Sequence, residues 1–397
     1  MATAPTEMRG ASWAFSTNYY SGSWSQTTYN GFISSPFAAD VVGDERPELL
    51  LGPQVFDVKI TNRNGVEGNK ITLVNQATIA TAAQYDGHTE VADFNGDGYI
   101  DLLITSRYNQ NNSSTIYNYV WDIHNNTYSP LFSLGTSNAG KSMPLIADVD
   151  NDGNLEMVIQ SYSSSRGTNS LHAYRFDRNT FAFNQTPIWA VNTGEDSYSN
   201  SATMFDFNTD GINEIITTGA GKLSIFEGNN GSLLTSVDFS EATTMTYPVV
   251  ADVDNDGHAD IVVVDSISAT AGLVRGHLRI FKSANDDWAP TRKVWNQYMY
   301  NVNNVNEDLS IPAHMVSNAI KIEGPEVPPV VRQPYNSFLM QLPLLDQYGR
   351  PFIYAPDVNA EAFAAGDTAY SSDGVYATLH YCNDGQQTLY QPYYITT

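Results

Sequence analysis

An acidic segment recurs along this chain, and its recurrence constrains the fold more than any other feature. The clear copies read ADFNGDGYIDLLIT, ADVDNDGNLEMVIQ, FDFNTDGINEIITT and ADVDNDGHADIVVV, and a worn copy, ADVVGDERPELLLG, begins at Ala39. The first aspartates stand at positions 40, 93, 148, 206 and 252, so the period is about 53 residues. Periods near this length are typical of solenoids, propellers and repeat arrays.

The content of each period favours a β-propeller. Every acidic loop is followed by an aliphatic run, such as 102–104 or 261–264, and alternating segments such as 114–121 and 277–281 follow within the period. No long amphipathic pattern is present. About four short strands per period make one propeller blade, in which radial repetition protects the sheet edges. We therefore expect an all-β fold with about seven four-stranded blades over residues 1–355, with six or eight as alternatives. Residues 1–36 and those after the last loop would supply the two blades without a loop.

Composition excludes some partners. The formal net charge is −24, from 43 acidic and 19 basic residues, and this argues against nucleic acid, which needs a cationic surface. No apolar run is long enough to cross a membrane as a helix. The single cysteine, Cys382, allows no internal disulfide and no cysteine-based metal site. A chain rich in asparagine and tyrosine but poor in lysine suggests an exported protein.

Each intact loop has the oxygen-bearing residues of a metal site. Position 1 is Asp, position 3 Asp or Asn, position 5 Asp, position 6 Gly and position 9 an acid, and the glycine permits a turn that brings the backbone carbonyl of position 7 inward. The expected ligands are Asp93, Asn95, Asp97, Tyr99 and Asp101; Asp148, Asp150, Asp152, Asn154 and Glu156; Asp206, Asn208, Asp210, Ile212 and Glu214; and Asp252, Asp254, Asp256, His258 and Asp260.

The ligand set favours calcium. Hard oxygen ligands in a flexible loop suit Ca²⁺ better than Mg²⁺, which demands rigid octahedral geometry. Crowded carboxylates without a cation would repel one another. A set of solvated Asp/Asn turns is the alternative for any one loop, but four copies of one pattern make it improbable. An EF-hand would need flanking helices and Glu at position 12, where strand-like runs stand instead. We expect about four calcium ions, with a weak fifth site at Asp40, Asp44 and Glu48, because Val42 cannot ligate and Glu45 replaces the glycine.

The loops over residues 35–285 resemble the FG-GAP (VCBS-type) repeat of integrin-α-like and bacterial surface β-propellers. The resemblance implies that each loop joins the first two strands of a blade and that calcium has a structural role there. Segments 288–312 and 331–357 resemble a block that follows such repeats in large bacterial surface proteins. The segment 356–397, with strands over 373–382 and 388–396, resembles the start of an Ig-like or CARDB-type adhesion module or a docking hairpin, so the chain is expected to be part of a larger multidomain protein.

Other motifs carry less weight. Residues 135–142 match the phosphate-loop pattern G-x-x-x-x-G-K-S, but a strand with a proline follows where a helix is required, so we expect an inter-blade turn. The seven histidines have no zinc-ligand spacing. Trp288, Trp295, Tyr298 and Tyr300, with Arg292 and Asn296, form the best candidate ligand surface by sequence, although blade-core packing explains most tryptophans.

The sequence leaves three functions open. The first is a calcium-stabilised, non-catalytic adhesion or recognition propeller, extracellular or on a bacterial cell surface, that binds a glycan or a protein and does not insert into the membrane. The second is a polysaccharide-active enzyme, a lyase or hydrolase, on a calcium-bearing propeller. The third is a structural spacer in a larger surface protein. Fold alone does not choose among them.

Overall fold

The structure is a computed structural model. The residues that it describes are 36–63, 68–79, 87–110, 113–136, 142–163, 168–193, 201–219, 221–239, 247–269, 273–284, 288–351, 358–360, 368–371, 374–377 and 381–383. The expected N-terminal strands of residues 1–35 and the expected strand over 388–396 lie outside these ranges.

Five antiparallel sheets follow one another along the chain. The first contains β1 (Phe37–Ala39), β2 (Glu48–Leu51), β3 (Gln54–Lys59) and β4 (Lys70–Gln76). The second contains β5 (Gly87–Ala92), β6 (Asp101–Gln110), β7 (Ser113–Asp122), β8 (Thr127–Tyr128) and β9 (Phe132–Thr136). The third contains β10 (Leu145–Ala147), β11 (Glu156–Ser163), β12 (Thr168–Asp177), β13 (Ala182–Phe183) and β14 (Trp189–Asn192).

The last two of the five sheets have four and three strands. The fourth contains β15 (Thr203–Phe205), β16 (Glu214–Gly219), β17 (Lys222–Glu227) and β18 (Leu233–Asp238), and the fifth contains β19 (Val249–Ala251), β20 (Asp260–Ala269) and β21 (Leu273–Phe281). In the second and third sheets, the third strand pairs with two short outer strands. The strands are ordered as they come along the chain, which is the meander of a propeller blade.

Every acidic loop joins the first two strands of a sheet. Each first strand ends one residue before loop position 1, and each second strand begins at position 9, as at Ala92 and Asp101. This confirms the strand–loop–strand placement expected from sequence. The fourth sheet shows how burial changes across a sheet. Its first strand, Thr203–Phe205, has no exposed residue, whereas its last strand, Leu233–Asp238, is mostly exposed. Burial therefore falls from the first strand of a sheet to its last.

Aromatic side chains join neighbouring sheets. Phe94, at loop position 2, meets Phe176 of the third sheet edge to face, with ring centroids 5.1 Å apart. Phe132 and Phe183 extend this cluster, with centroids 5.5 Å apart. Such pairs add about 0.5–1.5 kcal/mol beyond the area that they bury. Loop position 2 of this loop thus contributes to the core between two sheets rather than to the loop itself.

Residues 288–351 cross the five sheets instead of forming another one. Asn304 Nδ2 donates to the carbonyl of Ala38 in β1 over 3.1 Å, and Phe338 exchanges backbone hydrogen bonds with Ile146 in β10. Gln341 N donates to the Met204 carbonyl in β15 over 3.1 Å, and its Nε2 donates to the Val250 carbonyl in β19 over 2.9 Å. We call residues 299–342 the crossing segment. It covers the free edges of first strands. On that edge, these strands pair with no other strand of a sheet among the described residues.

The crossing segment corrects one expectation. Within 288–351 the structure contains a short 3₁₀ turn (Val302–Asn304), the strand pair β22 (Ile322–Glu323) and β23 (Val331–Arg332), and isolated bridges. These residues were expected to supply strands of a further blade, but they lack the alternating pattern of a strand and run irregularly. The described part of the chain therefore has five blade-like sheets where about seven were expected.

The C-terminal residues form two small strand pairs. They are β24 (Val358–Ala360) with β27 (Tyr381–Asn383), and β25 (Thr368–Ser371) with β26 (Gly374–Ala377). The strand expected over 373–382 is thus two strands with different partners. Among the described residues, no helix has the length and apolar character needed to cross a membrane.

Candidate metal sites in the acidic loops

The four intact loops share one set of hydrogen bonds. The carboxylate at position 9 accepts from the backbone N–H of position 2, and the carboxylate at position 1 accepts from the glycine N–H of position 6. The first kind joins Phe94 to Asp101 (2.9 Å), Val149 to Glu156 (3.0 Å), Phe207 to Glu214 (2.8 Å) and Val253 to Asp260 (2.9 Å). The second kind joins Gly98 to Asp93 (3.0 Å), Gly153 to Asp148 (2.8 Å), Gly211 to Asp206 (3.1 Å) and Gly257 to Asp252 (3.3 Å).

Two positions of each loop have a left-handed backbone. At position 6 the glycines have φ between 87° and 94°. A Cβ added at Gly98, Gly153 or Gly257 would meet no atom, so the backbone angle and not lack of space requires glycine there. Position 4 is also left-handed, at Gly96, Asn151, Thr209 and Asn255. The sequence pattern did not identify position 4, although Asn and Gly, which tolerate this conformation, occupy three of the four copies.

The worn loop keeps the fold of the others at a cost in backbone strain. Glu45 stands at position 6 with φ of 66°, a conformation that favours glycine. Asp44 is neutralised by Arg46, whose Nη2 lies 2.8 Å from its Oδ2. Val42 at position 3 is exposed and offers no oxygen side chain. A weak fifth site at Asp40, Asp44 and Glu48 stays a prediction.

The structure gathers carboxylate oxygens at three of the four intact loops. Oxygens within 4.8 Å of one another come from Asp148, Asp150 and Glu156; from Asp210, Glu214 and Glu227; and from Asp252, Asp254 and Asp260. Glu227, on β17, was not expected from sequence. In the remaining loop, amide groups stand among the acids: Asn95 Nδ2 lies 3.2 Å from Asp97 Oδ2, and Gln333 Nε2 lies 3.0 Å from Asp93 Oδ2.

Buried carboxylate oxygens without a hydrogen-bond partner indicate that a cation fits these loops. They are Asp101 Oδ1, Asp206 Oδ1, Glu214 Oε1 and Asp252 Oδ1, on side chains of residues that are at most 4% exposed. Leaving such a group unpaired costs about 1–3 kcal/mol or more when it is charged. Calcium accepts carboxylate, amide and carbonyl oxygens together, which is the donor set present here.

Burial also raises the pKa of the loop acids. The pKa of Asp101 rises to about 9, through burial and then the neighbouring Asp122 charge. Burial raises the pKa of Glu156 and of Glu214 to about 8, and that of Asp148 and of Asp206 to about 6. Each shift records the cost of a buried negative charge, and a divalent cation would remove that cost.

The other expected ligands lie on the exposed side of the loops. Position 5 carboxylates accept from the N–H of position 7, over 2.8–2.9 Å in all four loops. The ring of Tyr99 stacks on His124 with centroids 3.6 Å apart, and His258 Nδ1 lies 2.9 Å from the Trp288 carbonyl, so neither side chain points to a shared metal position. That position 7 ligates through its carbonyl, at Tyr99, Asn154, Ile212 and His258, stays a prediction.

The aromatic patch expected as a ligand surface is mainly a packing cluster. Tyr300 is fully buried, and Trp295 stacks on it with centroids 4.0 Å apart. Arg292 is engaged internally, since its Nη1 donates to the Val302 carbonyl over 2.7 Å. Trp288 lies elsewhere, against Phe207, with centroids 4.6 Å apart.

The structure also bears on the phosphate-loop match at residues 135–142. The chain continues from it into β10 and not into a helix, so the helix that a phosphate loop requires does not follow.

A buried acid outside the loops gives a testable pH effect. Glu90 on β5 is fully buried, neither carboxylate oxygen has a hydrogen-bond partner, and burial raises its pKa well above the ordinary 4.5. Well below pH 4.5 the acid is neutral in the folded and the unfolded chain, so its ionisation does not affect the free energy of unfolding. As the pH rises above 4.5 only the unfolded chain readily loses the proton, and folded stability falls. Because a buried charge without a hydrogen-bond partner costs about 1–3 kcal/mol or more, Glu90→Gln should raise stability at pH 8 by about 1–3 kcal/mol.

The check on Glu90 is urea unfolding of both proteins at pH 5 and pH 8. The advantage of Glu90→Gln should shrink at pH 5. Glu323→Gln, on a partly exposed strand, serves as the control and should change stability little at either pH. An equal effect of Glu90→Gln at both pH values would show that Glu90 does not titrate with a raised pKa.

Comparisons with known proteins agree with the repeat structure. The FG-GAP-like repeat family matches residues 93–159 and 206–263, so the chain contains FG-GAP-like repeats. No curated protein matches the chain. Among the solved structures that match, two are similar to part of the chain, each with a TM-score below 0.5. The Vibrio cholerae biofilm matrix protein Bap1 is 14% identical, with a TM-score of 0.47 over 78% of this chain and 71% of that one. The endo-arabinase from Bacteroides thetaiotaomicron VPI-5482 is 12% identical, with a TM-score of 0.32 over 63% of this chain and 94% of that one.

Proposed function

We propose that this chain is a calcium-stabilised, non-catalytic recognition or adhesion module of an extracellular or cell-surface protein, built as a closed β-propeller. The observation that carries the proposal is the set of buried, unpartnered carboxylate oxygens in the acidic loops. Calcium, when bound, supplies the positive charge that cancels repulsion among these acids. Asp93, Asp148, Asp206 and Asp252 would hold it with the other acids and amides of their loops.

The exposure of the loops supports an extracellular location. Positions 3 to 6 of each loop are mostly open to solvent, as at Asp97 and Asp210, so the sites are built from flexible loops rather than enclosed cages. Extracellular calcium modules of moderate affinity have Kd values of about 10⁻⁴–10⁻³ M, which only extracellular calcium would fill. A calcium-poor cytosol would leave the buried acids uncompensated.

A cleft beside two of the loops is the proposed ligand site. It has a volume of about 710 Å³ and lies between the loops of the third and fourth sheets and the residues around Arg332. Asp152, Asp206, Gln333 and Asn336 line it with hydrogen-bonding groups, and Met340 adds an apolar wall. Convergent polar groups with some apolar surface suit a glycan or an extended peptide.

The ligand experiment is a glycan array and a pull-down from extracellular proteins, each with 2 mM calcium and with EDTA. We expect binding that depends on calcium and falls at least about fivefold in Arg332→Gln, because one lost charged hydrogen bond is worth about 1.5–3 kcal/mol. Arg63→Gln, on an exposed turn of the first sheet, is the matched control. Absence of any specific ligand in both conditions would contradict recognition, and release of ultraviolet-absorbing product from pectins would identify a polysaccharide lyase instead.

A further inference from the structure

One strand position lies opposite every acidic loop. The acid at position 9 begins the second strand of a sheet, and its cross-strand neighbour is on the third strand. Glu156 pairs with Arg175, and Glu214 pairs with Glu227. One step beyond the pairs Leu102–Trp121 and Ile261–Phe281, the same register places Asp122 beside Asp101 and Lys282 beside Asp260.

The charge of the residue at this cross-strand position varies with the residue at loop position 3. Where position 3 is Asp, at Asp150 and Asp254, the cross-strand residue is a base, Arg175 or Lys282. Where position 3 is Asn, the cross-strand residue is an acid: Asn95 goes with Asp122, and Asn208 goes with Glu227. In the worn loop, Val42 at position 3 goes with Asp57 by the register Leu49–Phe56. Each intact site therefore contains the same number of carboxylates, whether position 3 or the neighbouring strand supplies the last one.

The two bases enter their loops. Arg175 Nη2 lies 2.9 Å from Asp152 Oδ2, its Nε lies 3.0 Å from Glu156 Oε1, and it also bonds to Asp150. Lys282 Nζ lies 3.0 Å from Asp254 Oδ2 and also bonds to Asp256. These loops thus carry a counter-charge of their own, and the base bonds to carboxylates that a metal ion would need, while Asp150 Oδ1 and Asp252 Oδ1 stay buried without a partner.

The two acids instead increase the negative charge. A carboxylate oxygen of Glu227 lies within 4.8 Å of oxygens from Asp210 and Glu214, and Glu214 Oε1 is buried without a partner. Asp122 Oδ2 lies 3.3 Å from Asn95 Nδ2, so it touches the loop beside Asp101, whose Oδ1 is likewise buried and unpartnered. Among the described residues, neither loop has a basic side chain bonded to its acids, and in the loop beginning at Asp93 the Lys321 ammonium donates to the backbone carbonyl of Gly96 over 2.8 Å instead.

From this arrangement, which rests on the proposed calcium binding, we propose that the cross-strand residue divides the four sites into two classes. Asp122 and Glu227 complete the acid set of the loops beginning at Asp93 and Asp206, which bind calcium more tightly and depend on it. Arg175 and Lys282 compete with calcium in the loops beginning at Asp148 and Asp252, which bind it more weakly and keep their shape without it. Ligand charge is the main determinant of calcium affinity in flexible oxygen sites.

Isothermal calorimetry with calcium chloride tests the division. We expect two classes of sites in the unmodified chain. Glu227→Gln should weaken one tight site on the order of tenfold, and Lys282→Gln should tighten one weak site by a similar factor. Asp238→Asn and Lys222→Gln are the controls, because they make the same charge changes on exposed residues that pair with each other in the fourth sheet. They should leave the affinities within about twofold.

A second readout separates competition from simple support of the fold. In EDTA, Arg175→Gln and Lys282→Gln should melt at a lower temperature than the unmodified chain, yet gain more from added calcium. Glu227→Gln should show the opposite pair of changes. If Glu227→Gln behaves like Asp238→Asn, or if Arg175→Gln and Lys282→Gln behave like Lys222→Gln, the division into two classes is wrong although calcium binding stands. If calcium gives neither heat nor a melting shift in the unmodified chain, the proposed function fails first.

Discussion

Removal of calcium with excess EDTA is expected to lower the melting temperature of this chain by on the order of 10 °C. An ion that binds only the folded chain stabilises it by mass action, which in 2 mM calcium gives about 0.6–1.8 kcal/mol per site for Kd values of about 10⁻³–10⁻⁴ M. Two sites at each end of that range would together contribute about 5 kcal/mol, and 1 kcal/mol moves the melting temperature of a domain of 150–250 residues by about 2–4 °C. Without the ion, the buried oxygens of Asp101, Asp206 and Glu214 have no partner.

Differential scanning calorimetry in 2 mM calcium, in EDTA, and in EDTA followed by calcium excess measures this effect. Magnesium at the same concentration is the matched control and should restore less than half of the loss, because it keeps its waters and demands a rigid octahedral site. A double variant, Asp206→Asn with Glu214→Gln, should reduce the calcium response. Identical melting curves in calcium and in EDTA would contradict the metal assignment.

The second large effect is expected from Phe338→Ala in the crossing segment. Phe338 is 1% exposed, its ring meets Phe37 with centroids 5.3 Å apart, and its backbone pairs with Ile146. Truncating a buried phenylalanine removes its transfer free energy and leaves a cavity, which costs about 3–5 kcal/mol. Because the side chain joins the first sheet to the third, the loss should affect both in one transition.

Urea unfolding followed by tryptophan fluorescence and by far-ultraviolet circular dichroism measures the change. Leu344→Ala is the control, since Leu344 is on the same stretch of chain but 39% exposed, and it should cost less than about 1 kcal/mol. Equal costs for the two variants, or a loss confined to one spectroscopic probe, would mean that the crossing segment is not part of the cooperative core.

The sequence could predict what is periodic in this chain. The acidic loop, the strand end before Asp93 and the strand start at Asp101 recur with the same spacing, so four copies identify the local structure. The glycine at position 6 has a direct physical reason in its backbone angle. The strand runs that follow each loop, such as 102–104, contain β-branched and aliphatic residues and are strands in the structure.

What the sequence could not predict depends on contacts between distant or unevenly spaced residues. The crossing segment has no period, and its partners lie far away in the chain, as with Asn304 and Ala38. Glu227 was missed because the hairpin turns between second and third strands differ in length, so its register opposite Glu214 cannot be counted from the motif. Tyr300 and Trp295 looked like a surface patch because aromatic residues suit both a binding face and a core.

The crossing segment also has a consequence for how the protein is made. The first strands of the sheets, from Phe37 to Ala251, are synthesised before Phe338 and Gln341, which bond to strands of several sheets. A nascent chain that stops short of those residues therefore has unsatisfied backbone groups at the first strands of its sheets and exposes apolar surface there. Truncated products would be prone to aggregate or be degraded, whatever their calcium supply. The order of synthesis thus delays the completion of the sheets until Phe338 and Gln341 have emerged from the ribosome.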